Sequence, residues 1–189
     1  MIAAFLLSGC AGPVKNMQTF QGDEATIVPE PGKAMIVFMR PSGVGFAIQS
    51  SVFRVAEPTP DLAGILAAKM KVAYQVEPGE HLFMVIGESA DFMSAEVEAG
   101  KTYYVRVTPR MGAWKARFSL MPVAQPNQNG EELDGWLKAC EWVQETSASD
   151  TWAASNMKSI QDKQNKYYEK WMEKDAAGRA RLTLEDGVL

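Results

Sequence analysis

Between Lys33 and Val123 the apolar positions come in runs too short for helices, separated by glycine and proline. Two units in the middle of this stretch read almost alike. The first is Val76-Glu77-Pro78-Gly79-Glu80-His81-Leu82-Phe83-Met84-Val85-Ile86, and the second is Val97-Glu98-Ala99-Gly100-Lys101-Thr102-Tyr103-Tyr104-Val105-Arg106-Val107. Each is a turn followed by a run of β-formers, the pattern of strands folding back on one another. Around them the pattern predicts strands over Lys33–Arg40, Gly45–Ala56, Lys71–Val76, Glu80–Gly87, Asp91–Val97, Lys101–Thr108 and Trp114–Met121. Leu62–Leu66 is too short to separate a strand from a helical turn. The imperfect alternation in Gly45–Ala56 predicts a bulge near Ser50 and Ser51. Tyr103, Val105 and Val107 form one face and belong in a core; Thr102, Tyr104, Arg106 and Thr108 form the wetter one. Glu80–Ile86 is apolar on both faces and belongs near the middle of a sheet.

The periodicity changes after a polar linker at Pro122–Gly130. Asn129 and Glu132 have capping-box spacing, and Leu133, Trp136, Leu137, Cys140 and Val143 follow at helical intervals. After a gap at Thr146–Asp150, a second stripe runs through Ala153, Met157, Ile160, Gln164, Tyr167 and Trp171, widened by Tyr168 and Met172. Asp162 and Lys166 are spaced as a supporting ion pair, and Gly178 is a natural stop. The fold class is therefore mostly β: a small antiparallel β-sandwich followed by a C-terminal helical hairpin. The division is a leader over 1–9, a tether over 10–31 rich in Gly and Pro, the sandwich over 32–123, the hairpin over 129–178 and an extended tail over 179–189.

Composition bounds this picture. The chain has 189 residues, 47% hydrophobic and 22% charged, enough for one domain and an appendage. Its 19 Lys and Arg are scattered among 23 Asp and Glu, for a net charge of −4, so no nucleic-acid partner is expected. No apolar run is long enough to span a bilayer as a helix. A single His and two distant cysteines, Cys10 and Cys140, form no zinc pattern, so neither metal nor cofactor is expected.

The N-terminus carries the most specific signal. Met1–Leu7 is apolar and runs into Leu7-Ser8-Gly9-Cys10-Ala11, with small residues before the cysteine. No Lys or Arg precedes the run, so the natural start is expected upstream of Met1. Leu-Ser-Gly-Cys resembles the lipobox of bacterial lipoproteins. That resemblance implies a cleaved signal peptide and a diacylated Cys10 thiol, with acylation of the new N-terminus in many bacteria. Two or more chains make a firm membrane anchor. Ala11, in place of Asp, implies sorting to the outer membrane, facing the periplasm.

A second resemblance rests on Gly32-Lys33-Ala34, Phe38-Met39-Arg40-Pro41, Glu77-Pro78-Gly79-Glu80-His81, Glu98-Ala99-Gly100-Lys101-Thr102-Tyr103-Tyr104-Val105 and Phe118-Ser119-Leu120. In this order they resemble a domain-of-unknown-function family of bacterial lipoproteins. They are similar in turn to PEGA-type and carboxypeptidase-regulatory-like domains, small sandwiches of Ig-like kind. These are turn and core residues. They imply a fold and bring no catalytic residues with them.

Candidate chemistry is sparse. His81 follows a turn beside Glu80 with no nucleophile placed to use it, and the expected role is a solvated turn residue. Cys140 is expected buried as a small hydrophobe, or paired with Cys10 should Cys10 carry no lipid. Arg40 and Arg106 either bind an acidic group or pair locally. The eleven Met residues show no metal-binding cluster. The aromatic stripe is expected to be a core face, with a partner or peptidoglycan surface as the alternative. The function expected is that of a non-enzymatic, lipid-anchored envelope protein, a structural or protein-interaction module. A glycan or small-molecule binder using Tyr104, Trp114 or the helical aromatics is the alternative, and a hydrolase built on Asp61, Glu88 and Asp91 comes third.

Overall fold

The structure, a computed structural model, describes residues 15–110, 116–126 and 130–189. In chain order the strands are β1 (Met17–Thr19), β2 (Ala34–Arg40), β3 (Ser50–Arg54), β4 (Asp61–Leu66), β5 (Met70–Val76), β6 (Gly79–Ile86), β7 (Ala90–Val97), β8 (Thr102–Arg110) and β9 (Arg117–Pro122). Helix α1 (Gly130–Lys138), strand β10 (Glu141–Glu145), helix α2 (Ser147–Met172) and strand β11 (Ala180–Leu182) complete the chain.

The strands form two sheets, ordered β1-β10-β5-β2-β8-β9 and β11-β7-β6-β3-β4. Between them lies the main core, with Ile36, Phe38, Val52, Phe83, Val85, Tyr103, Val105, Val107, Phe118 and Leu120 all buried. The chain is a β-sandwich with helical additions, as its pattern predicts. β6 lies at the centre of its sheet, where its two apolar faces require it. Tyr103, Val105 and Val107 face the core, and Tyr104, Arg106 and Thr108 are half-buried, but Thr102, expected on the same wetter face, is buried, its backbone bonded to Val188. Three pairings are parallel: β2 with β8, β10 with β5, and β11 with β7. Parallel neighbours need long connections rather than hairpins, and the helices supply them for β10 and β11.

Each sheet's outer face is covered by one helix. Ala153, Ile160 and Trp171 of α2 bury Phe53, Met84, Ile86 and Phe92. Leu133, Trp136 and Leu137 of α1 lie over Met39 and Tyr104. This double cover explains why every residue of β2 is buried. Ala153, Ile160 and Trp171 of the stripe are thus a core face, the role expected of them, with Met157 and Tyr167 half-buried at its margin, while Tyr168 and Met172, expected to widen it, are exposed.

Several elements differ from the sequence expectation. Cys140 and Val143 do not continue a helix. The chain straightens into β10, and Val143 enters the sandwich core, so a strand separates the two helices. An apolar residue every third or fourth position fits a helix, but Trp142 and Val143 also complete a half-open sheet edge. The supposed gap at Thr146–Asp150 holds the first turn of α2, where the Thr146 amide donates to Ser149 Oγ at 2.9 Å. Ser149 Oγ also bonds the carbonyl of Asn16, fastening β1 to the helix start. Asp162 pairs with Lys158 at 3.0 Å, not with Lys166.

The strand expected from Gly45 is shorter, because residues 41–49 form a loop whose carbonyls turn toward Arg40. The register shift falls between Val52 and Phe53 rather than at Ser50. It lies opposite Gly64, where a Cβ would stand 2.7 Å from Val72. Leu62–Leu66 is a strand. Part of the supposed tether is built into the sheet as β1, and part of the tail as β11. Cys10, the leader before it, Trp114 and Asn129 lie outside the described residues.

Candidate functional site

A cleft opens where the end of α2 crosses β7, β8 and β9. Its cavity, of about 440 Å³, is lined by Ser89, Ala90, Asp91, Arg110, Arg117, Lys166, Tyr167, Lys170, Trp171 and Lys174. Asp91 stands at its base. It sits near the start of β7 and accepts from Lys174 Nζ at 2.9 Å on Oδ1. Its Oδ2 accepts from Ser119 Oγ at 2.5 Å and from Arg110 Nη2 at 3.1 Å. Ser119 and Arg110 belong to the opposite sheet and Lys174 follows α2, so one buried carboxylate ties two sheets and a helix end together.

The sequence places the cations by simple periodicity. Lys166, Lys170 and Lys174 recur every fourth residue, which stacks them along one line of the helix and its continuation. Lys166 and Lys170 lie 5.6 and 5.8 Å from the centre of the Tyr167 ring, one on each side in sequence. Arg110 ends β8 and Arg117 begins β9, and they face one another in register across the hairpin. Arg117 reaches Glu88 at 3.8 Å. Five cations against Asp91 and Glu88 leave an excess of three positive charges around one concave surface. Such a surface attracts anions, and its walls focus the field. Trp171 closes one side, and its buried indole N–H has no hydrogen-bond partner among the described residues.

Asp61, Glu88 and Asp91, the three carboxylates of the hydrolase alternative, have separate roles. Asp61 pairs with Arg54 at the β3–β4 edge. Glu88 lines a neighbouring groove and faces Arg117, and Asp91 is held by two cations and a serine. His81 lies on β6, with Nε2 2.7 Å from the Glu77 carbonyl and its ring 6.3 Å from Phe83. Tyr104 is packed under α1 rather than offered to a ligand, and burial raises its phenol above the ordinary value. Arg106 stacks on Trp136, 4.1 Å from the ring centre, and so pairs locally.

Cys140 is a free, buried thiol, and burial pushes it up to about 11. Beside it the buried Lys71 donates to the carbonyls of Leu137 and Cys140 at 2.7 and 2.8 Å, capping the C-terminal end of α1. Burial lowers the Lys71 ammonium below its ordinary value.

Arg40 is fully buried. It donates to the carbonyls of Ile48, Val44 and Gly45 at 2.5, 3.0 and 2.8 Å and to that of Leu66 at 3.4 Å. Its guanidinium lies 4.7 Å from the Phe118 ring centre. No carboxylate among the described residues pairs with it. Burial pushes it down to about 10, so it stays cationic near neutrality.

The cleft is not marked in the sequence by the apolar stripe of α2, which reports only the buried face of the helix. The signal was the repeat of lysine at 166, 170 and 174. No helix among the described residues is long and apolar enough to cross a membrane. No protein-family model matches the chain, and no curated protein matches it by sequence.

Proposed function

We propose that this chain is a non-enzymatic, lipid-anchored protein of the cell envelope that acts as an interaction module, its cleft receiving an acidic group of an envelope partner. The observation that carries the binding part is the convergence of Arg110, Arg117, Lys166, Lys170 and Lys174 on one cavity. Asp91 holds Arg110 and Lys174 and Glu88 faces Arg117, which leaves most of the positive charge uncompensated. A partner carrying clustered carboxylates or phosphates would gain charge-assisted hydrogen bonds there.

The anchor rests on Leu7-Ser8-Gly9-Cys10 and its likeness to a lipobox. In that reading Cys10 is acylated and the sandwich faces the periplasm, with the outer membrane as its address. The likeness to lipoproteins with PEGA-type sandwiches accords with the two-sheet architecture. A second reading, an anionic-glycan module, is favoured by the half-buried Tyr167 beside Lys166 and Lys170, since an aromatic face stacks on sugars while cations hold their acidic groups.

The anchor and the cleft are tested separately. Metabolic labelling with an alkyne fatty acid should mark the wild type and not Cys10→Ala; an unlabelled wild type overturns the anchor. Cross-linked envelopes should yield a reproducible partner with the wild type and lose it with Lys166→Glu/Lys170→Glu. A partner that ignores that charge reversal overturns the cleft's role.

A further inference from the structure

We propose that the loop 42–49 is a second membrane contact, placing Val44, Phe46 and Ile48 in the headgroup and upper acyl region of the bilayer that holds Cys10. This inference rests on the lipid-anchor reading above.

The loop is apolar and turned outward. Val44, Phe46 and Ile48 are 62%, 78% and 41% exposed. Single exposed hydrophobes are ordinary; three within five residues on one loop are not. No charged residue occurs between Arg40 and Arg54.

The backbone distinguishes this loop from one made for water. A segment entering lipid must satisfy its peptide groups internally. Arg40, from inside the sandwich, takes the carbonyls of Val44, Gly45 and Ile48. The Ile48 amide donates to Gly45 O at 2.9 Å, and the Val44 amide to Ser42 Oγ at 3.1 Å. Gly45 adopts φ 67°, with Arg40 Nη2 only 3.5 Å from where its Cβ would be. Three carbonyls and two amides of the loop are thus satisfied from within the protein, while Val44, Phe46 and Ile48 stand outward.

Its position fits the anchor. Lys15 and Asn16 line one cavity with Gln49 and Ser50, at the foot of the loop. Four residues lie between Cys10 and Lys15, and the five steps of chain that join them span at most about 18 Å. A lipid on Cys10 therefore holds this end of the sandwich close to the bilayer. Exposed Lys15 at the same foot favours an anionic headgroup layer.

The test uses the full acylated chain in vesicles of phosphatidylethanolamine and phosphatidylglycerol. A nitroxide is attached at Phe46→Cys or, as the control, at Glu98→Cys on the turn at the opposite end of β2, where the Glu98 side chain is 58% exposed. Cys10 carries the lipid, and buried Cys140 does not react. The label at 46 should be shielded from a water-soluble nickel relaxant and open to oxygen, while that at 98 is open to nickel. Equal nickel access at both positions, with Cys10 acylated by mass spectrometry, overturns the loop contact and leaves the anchor standing. Shielding of position 46 from both relaxants marks a protein neighbour or a second copy and also overturns it. Should Cys10 prove unacylated, the anchor fails. The Cys10→Ser chain then decides the loop alone: flotation with vesicles should fall about tenfold in Val44→Ser/Phe46→Ser. No difference between these chains removes the loop contact as well.

Discussion

Lys174 Nζ lies 2.9 Å from Asp91 Oδ1, joining the segment after α2 to the start of β7. The same carboxylate holds Ser119 and Arg110 from the other sheet, so charge that faces the cleft also fixes the sandwich edge. Asp91→Asn keeps the shape and removes the charge. It should lower stability by about 1–3 kcal/mol, seen as a smaller midpoint in urea with an unchanged slope. An unchanged midpoint would mean that the cations find water equally good.

Arg40 carries a different load. Truncation to Met leaves the carbonyls of Val44, Gly45, Ile48 and Leu66 without their donor in a buried place. The expected loss is about 3–5 kcal/mol, with faster proteolysis within residues 42–49. Arg40→Lys keeps the charge but not the forked geometry and should fall between the two. If Lys matched Arg, charge alone would be holding the loop.

The sandwich was legible from the short β-rich runs and their Gly turns, because alternation reports which side of a strand is buried. Its helical additions were half legible. The stripe Ala153–Ile160–Trp171 identified α2 and the face it buries. Val143 misled, since a spacing of three or four says nothing about whether a neighbouring sheet edge is waiting for a strand. Arg40 was visible only as a strand-end cation; that it turns inward follows from strand parity with Ile36 and Phe38, and that it stays there depends on four carbonyls brought by other segments. The cleft escaped for a related reason. Lys166, Lys170 and Lys174 are local, while Arg110, Arg117 and Asp91 reach them only through folding.

Cys140 yields a prediction in pH. The thiol's ordinary value is 9.0 and burial raises it to about 11. Below pH 9 the thiol is protonated in folded and unfolded chains, and its contribution is constant. Between about 9 and 11 the unfolded chain releases this proton and the folded chain keeps it, so stability falls as pH rises through that window. The fall attributable to Cys140 should reach at most about 3 kcal/mol, measured as the difference between wild type and Cys140→Ala. Iodoacetamide at pH 8 should modify Cys140 only after unfolding. Identical pH profiles for the two chains would contradict this.

Lys71 holds the end of α1 through the Leu137 and Cys140 carbonyls. Lys71→Met should fill the same space yet loosen α1, costing about 1–3 kcal/mol. Amide exchange should rise within Gly130–Lys138 and not in α2. Uniform change across both helices would show that Lys71 supports the whole sandwich instead.

The cleft is most directly tested by calorimetric titration of the full chain with tripolyphosphate, a compact multivalent anion, at low and at physiological salt. Saturable binding that weakens with salt is expected. It should drop at least about tenfold in Lys166→Glu/Lys170→Glu and hold in Lys69→Glu/Lys138→Glu, which carries the same charge change at exposed sites elsewhere. Equal weakening in both double variants, or no binding by the wild type, would contradict an anion-binding cleft around Asp91.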